Sequence, residues 1–141
     1  MALFGSKSPP QPTALSEVQV DLSEEGLARI RLSGEVDGVL IKRATDQLRA
    51  LLKGKRVRVV FIDGMAINKM EASMRGPTSE LLAVMKTAGV SRAVIATSSS
   101  VVRLIASTLG LASGFKIELF ETTELAMRRV QTALKGSVKE A

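Results

Sequence analysis

The chain has no cysteine, no histidine, no tryptophan and no tyrosine. The first two absences exclude disulfides, thiol nucleophiles, Cys/His metal centres and histidine acid–base catalysis together. A Mg²⁺ or Ca²⁺ site built from carboxylates alone stays open. Four phenylalanines make up the whole aromatic complement, so the core must be aliphatic and no platform exists for stacking bases. No run approaches the ~18–20 uncharged apolar residues of a membrane span; the best candidate, residues 93–115, is cut by Arg103 and rich in Ser and Thr. The apolar run at Met1–Phe4 is too short for a signal-peptide core. Walker-type loops, a GxGxxG turn and Gly-x-Ser-x-Gly are missing too. These absences describe a soluble, cytoplasmic chain without an obvious reactive apparatus, and they call for no cofactor and no metal.

What is present is one domain's worth of material. The 141 residues are 45% hydrophobic, enough for an ordinary core. The formal charge is +6, and it is local. Between residues 42 and 58 lie Lys42, Arg43, Arg49, Lys53, Lys55, Arg56 and Arg58 against Asp46 alone, so the rest of the chain balances. Such a patch steers acidic partners, phosphates or anionic lipid surfaces. Nucleic acid fits it less well, because the patch reads as the outside of one helix and carries no aromatics.

Residues 1–14 read as a flexible Pro/Ser-rich tail, holding three of the four prolines. The domain spans residues 15–136, and residues 137–141 are expected to fray. Residues 17–22 and 27–32 alternate apolar and polar around a Ser-Glu-Glu-Gly turn, the pattern of a hairpin. Gly34 to Gly38 break the second strand, and Asp37 is placed to cap a helix. That helix carries Leu40, Ile41, Ala44, Leu48, Leu51 and Leu52 on one face and Lys42, Asp46, Arg49 and Lys53 on the other. Gly54 ends it. The nearly unbroken run Val57–Ile62 predicts a central strand buried on both sides.

Residues 63–76 read as a loop with apolar anchors at Met65, Ile67 and Met70, and Pro77 opens a second helix. A short strand at Ala93–Thr97, a helix capped from Ser98–Ser100 with Gly110 near its end, a strand at Phe115–Phe120 and a helix capped by Thr122 or Thr123 complete the pattern. The order is β-β-α-β-α-β-α-β-α, an α/β domain with a mixed sheet and crossover helices.

Several strings in this order resemble the STAS domain, the sulphate-transporter and anti-sigma-factor-antagonist fold, over roughly residues 16–135. They are Gly34-Glu35-Val36-Asp37 between second strand and first helix, and the buried strand Val59-Val60-Phe61-Ile62-Asp63. The stretch from Ser99 to Thr108-Leu109-Gly110-Leu111 and the Phe120 strand with its Glu124-Leu125-Ala126 helix follow. The resemblance implies a non-enzymatic regulatory domain of bacterial signal transduction. It would bind a kinase-like or anti-sigma protein partner through the loop and helix after the third strand.

In that family a switch motif, Asp-Ser-Ser-Gly or Asp-Ser-Thr-Gly, follows the strand-ending acid, and its first hydroxyl is phosphorylated. The matching positions here hold Glu71, Ala72, Ser73 and Met74. Ser73 is the one hydroxyl left, one place late, so a phosphorylation switch there is not favoured. As an unmodified residue it can cap the following helix. Asp63, Met70, Glu71, Met74 and Arg75 are the candidate partner-binding residues, with the methionines as adaptable contacts. Lys42, Arg43, Arg49 and Lys53 form the candidate basic patch. Two alternatives stand beside this reading. One is a module holding an apolar or lipid-like ligand between the sheet and the Pro77 helix. The other is a scaffold or assembly protein tethered through the tail and basic helix, with weak peripheral membrane contact.

Overall fold

The computed structural model describes residues 16–24 and 26–140. The expected tail at residues 1–14 lies outside them, as does Ala141. The elements follow the expected order: β1 (Glu17–Glu24), β2 (Leu27–Val36), α1 (Gly38–Leu52), β3 (Val59–Met70), α2 (Arg75–Thr87), β4 (Arg92–Ala96), α3 (Ser100–Ser113), β5 (Lys116–Phe120) and α4 (Thr123–Glu140). A 3₁₀ turn, Ala72–Met74, leads into α2.

The five strands lie side by side in chain order. β1 and β2 are antiparallel, with Val18 opposite Leu32 and Val20 opposite Ile30. All further pairings are parallel. Three parallel crossovers stepping in one direction, each right-handed, put their helices on the same face of the sheet. The packing agrees with that rule. Ala28, Ile30, Leu32, Val60, Ile62 and Ile95 point into a large core shared with α1, α2 and α3. Leu27, Val59, Phe61, Val94 and Ala96 point the other way, where α4 covers them with Ala126, Val130, Ala133 and Leu134. The unbroken apolar run in β3 therefore supplies two cores by turns. Each large aliphatic side chain fully buried this way contributes about 1.5–3 kcal/mol.

The helix ends obey their local chemistry. Asp37 Oδ1 accepts from Leu40 N at 2.9 Å and starts α1. Gly54, at φ +69°, follows its last turn in the left-handed position that suits glycine. Ser99 Oγ accepts from Val102 N at 3.2 Å to cap α3. Thr122 Oγ1 does the same for Leu125 N in α4.

Two strands run further than expected. β2 does not break at Gly34; it continues to Val36. β3 likewise runs on to Met70, where a loop was expected from Asp63. The two extensions pair with each other through irregular registers at Arg31/Ser33 and Gly34/Glu35. Bulges spoil the period-2 alternation by which a strand is recognised, and Gly34 takes φ +81° at one of them. β4 stops at Ala96, opposite Asp63, so the rest of β3 overhangs with β2 as its only strand neighbour among the described residues. Helix α3 passes through Gly110 and ends at Gly114, φ +73°. At Gly110 an added Cβ would stand 3.4 Å from Ile117 Cδ1, so this glycine lets the helix lie close on β5. α4 carries helical backbone past Lys135 to Glu140.

Candidate docking site

The overhang of β3, the 3₁₀ turn and the first turn of α2 form one continuous segment at the finishing end of the parallel strands. Its path depends on Gly64. A Cβ there would meet Ile67 Cδ1 at 3.1 Å and the Ala96 carbonyl oxygen at 3.2 Å. Asp63 is half-buried, and its Oδ1 accepts from Met65 N at 3.2 Å. The carboxylate thus turns back onto its own strand.

Met70 is only 9% exposed and belongs to the large core, opposite Val36. The extended pairing with β2 draws it inward, so it offers no thioether to a partner. Met74 is half-buried and packs against the same core. Glu71, Ser73 and Arg75 are exposed. The Glu71 carbonyl accepts from Met74 N at 3.0 Å and closes the turn.

Ser73 does not cap α2. The residue at the cap position is Met74, at φ −75° and ψ 3°, and no side chain bonds the first-turn N–H groups. A side-chain cap needs extended backbone at its own position; here the 3₁₀ turn winds straight into the helix instead. Pro77 sits in the first turn, where a missing N–H costs little.

A recess of about 130 Å³ brings Glu71 and Met74 together with Glu35, Asp37 and Lys69. Asp63 and Arg75 stay outside it. Glu71 and Arg75 are not paired with each other among the described residues. The sequence reading missed Glu35 and Lys69 as members of this recess, because it treated the strand extensions as loop. It also missed exposed apolar side chains at the same end: Val39 in the first turn of α1 and Leu104 early in α3. Their signal was available, since each falls off the buried stripe of its own helix.

Lys42, Arg43, Arg49 and Lys53 are all exposed on α1. Asp46 sits 3.8 Å from Lys42 and 3.2 Å from Arg49, so part of that charge is met locally. Such exposed pairs contribute less than about 1 kcal/mol each. Between the sheet and α2, where an apolar ligand was considered, the enclosed cavity measures only about 40 Å³. Sites for small organic ligands run to about 300–1,000 Å³. Thr78 Oγ1 is buried without a partner, and Thr78 lines this cavity.

The most connected ionic cluster lies elsewhere, under α4. Glu118 of β5 accepts from Arg129 Nε at 2.9 and 3.0 Å and from Arg92 at 3.3 Å. Burial pushes the Glu118 carboxyl up. The hydrogen bonds and charge of Arg129, then of Arg92, outweigh that and hold it below its ordinary value. This triad ties β4, β5 and α4 together and does not face the docking segment.

Neither protein-family models nor curated proteins match the sequence. Solved structures do match the fold. The anti-sigma factor antagonist SpoIIAA in its unphosphorylated form superposes with a TM-score of 0.62 at 19% identity, covering 82% of this chain and 97% of that one. An anti-sigma factor antagonist from Mycobacterium paratuberculosis gives 0.56 at 18%, covering 82% and 93%. A protein of the DUF3478 family with a SpoIIAA-like fold, from Shewanella loihica, gives 0.57 at 13%, covering 81% and 93%. The chain therefore has a STAS-like fold, as its strings and element order implied. Among the described residues no helix is long and apolar enough to cross a membrane.

Proposed function

We propose that this protein is a non-enzymatic regulatory interaction domain that binds a protein partner in the cytoplasm, of kinase-like or anti-sigma type. The docking surface is the 71–75 turn with the start of α2, flanked by Val39 and Leu104. One observation carries the reading. At the finishing end of the strands, α2 begins without a side-chain cap, next to the exposed Glu71, Ser73 and Arg75. Val39 and Leu104 stand 67% and 58% exposed there. Open donors, unpaired charges and exposed apolar side chains in one place are what a protein partner can use. The likeness in fold to two anti-sigma factor antagonists supports the class of partner. Ser73 enters as a contact residue, because the hydroxyl position directly after the acid is occupied by Ala72.

The test is quantitative capture of partners by the full chain and by a Val39→Asp, Leu104→Asp double variant, with Arg43→Gln as a control on another face. The double variant loses at least tenfold in capture while the control keeps it. Equal capture by all three removes this surface from the proposal.

A further inference from the structure

The opposite end of the sheet, where the parallel strands begin, has a different character. Val59, Arg92 and Lys116 stand in register across β3, β4 and β5. Helices α1, α2 and α3 all finish at this end. Lys53 caps α1 and is followed by Lys55 and Arg56. Lys86 lies in the last turn of α2, and its Nζ donates to the Ser113 carbonyl, 3.1 Å away at the end of α3. Lys53, Lys55, Arg56, Lys86 and Lys116 are exposed. None of them, nor Arg58, forms an ion pair among the described residues.

A recess of about 390 Å³ is framed by Lys55, Arg56 and Arg58 against Ala88 and Gly89. Arg58 Nε is buried without a hydrogen-bond partner. Complementing helix dipoles accounts for Lys53 and Lys86, which sit beside the final carbonyls of α1 and α2. It does not account for Lys55, Arg56 and Lys116, which lie beyond the helices. The last turn of α3 adds Leu111, at 89% the most exposed large hydrophobic residue among those described.

We infer that this end of the molecule is a docking surface for an anionic lipid bilayer. Unpaired cations supplied by several elements at one end of the sheet match a plane of negative headgroups. A fully exposed leucine beside them can enter the headgroup layer, which a polyanion such as nucleic acid would give it no reason to do. Seated this way, the protein turns the 71–75 turn and α2 start away from the membrane and leaves them free.

The test is co-sedimentation of the full chain with vesicles of phosphatidylcholine alone and of phosphatidylcholine mixed with phosphatidylglycerol, with duplex DNA as a competitor. The protein binds the mixed vesicles, not the neutral ones, and added salt weakens the binding. Replacing Lys55, Arg56 and Lys116 together by Gln lowers the affinity about a hundredfold, since each basic side chain at such a surface is expected to contribute roughly fivefold. Leu111→Ser lowers it about tenfold. Lys42→Gln with Arg43→Gln, on the outside of α1, has a much smaller effect. Indifference to the anionic lipid, or binding that survives the triple replacement, overturns the inference. So does preference for DNA with Leu111→Ser harmless, which reassigns the surface to nucleic acid. All the altered residues are exposed, and an unchanged melting temperature confirms that each variant folds.

Discussion

The two ends of the parallel sheet are built from the same elements and differ in kind. Where strands finish and helices begin, acids and hydroxyls cap the helices: Asp37 for α1, Ser99 for α3 and Thr122 for α4. Around them the charges are mixed, with Glu35, Lys69, Glu71 and Arg75 interleaved. Where strands begin and helices end, exposed cations predominate: Lys53, Lys55, Arg56, Lys86 and Lys116 stand there against Glu24. Helix polarity explains half of this difference, because α1, α2, α3 and α4 all leave the finishing end and their dipoles favour acids at one end and bases at the other. The cations beyond the helices and the uncapped start of α2 are not dictated by the fold. They are the features on which the proposed partner contact and the inferred lipid contact rest.

The comparison can be broken most severely at Gly64. Gly64→Val forces a branched side chain against Ile67 and the Ala96 carbonyl. It should cost about 2–3 kcal/mol in urea unfolding and disorder the finishing end, while vesicle binding by the starting end persists. Glu118→Gln is expected next, at about 1–3 kcal/mol, because it leaves Arg92 and Arg129 partly buried without their carboxylate. The same residue sets an acid limit. Its carboxyl is held below the ordinary value, so its contribution is fully present above the unfolded-state value of 4.5 and is lost as pH falls through the lower folded value. Wild type should lose stability over that window and the Gln variant should lose less; parallel pH profiles would contradict the assignment.

Asp37→Ala should cost about 1 kcal/mol through its cap, with Asp37→Asn recovering most of it. Ser73→Asp should shift stability by less than about 0.5 kcal/mol, as exposed substitutions do. If partner capture is also unchanged, Ser73 is a contact at most; a large loss would restore the phosphorylation switch.

Element order, the hairpin, the amphipathic α1 and the doubly buried start of β3 were legible because each rests on an unbroken period. Residues 63–70 were not, because two irregular pairings hide the alternation and Gly64 imitates a loop. That single misreading moved Met70 from the core to the rim and hid the recess formed by Glu35, Lys69 and Glu71. The Glu118 triad joins residues 26 and 11 positions apart, which no local pattern reports. The cations of the starting end were visible as a charge-rich window. Their alignment with Lys86, Lys116 and Leu111 required the register of β3, β4 and β5.

Because every crossover lies on one side, the reverse side of the sheet is covered, among the described residues, by α4 alone. Until that helix has been synthesised, Leu27, Phe61 and Val94 form a sticky strip across three adjacent strands, with none of the earlier described helices packed on it. A growing chain is thus vulnerable to clumping right up to its final element, and shortening that element should send it to chaperones rather than merely loosen it.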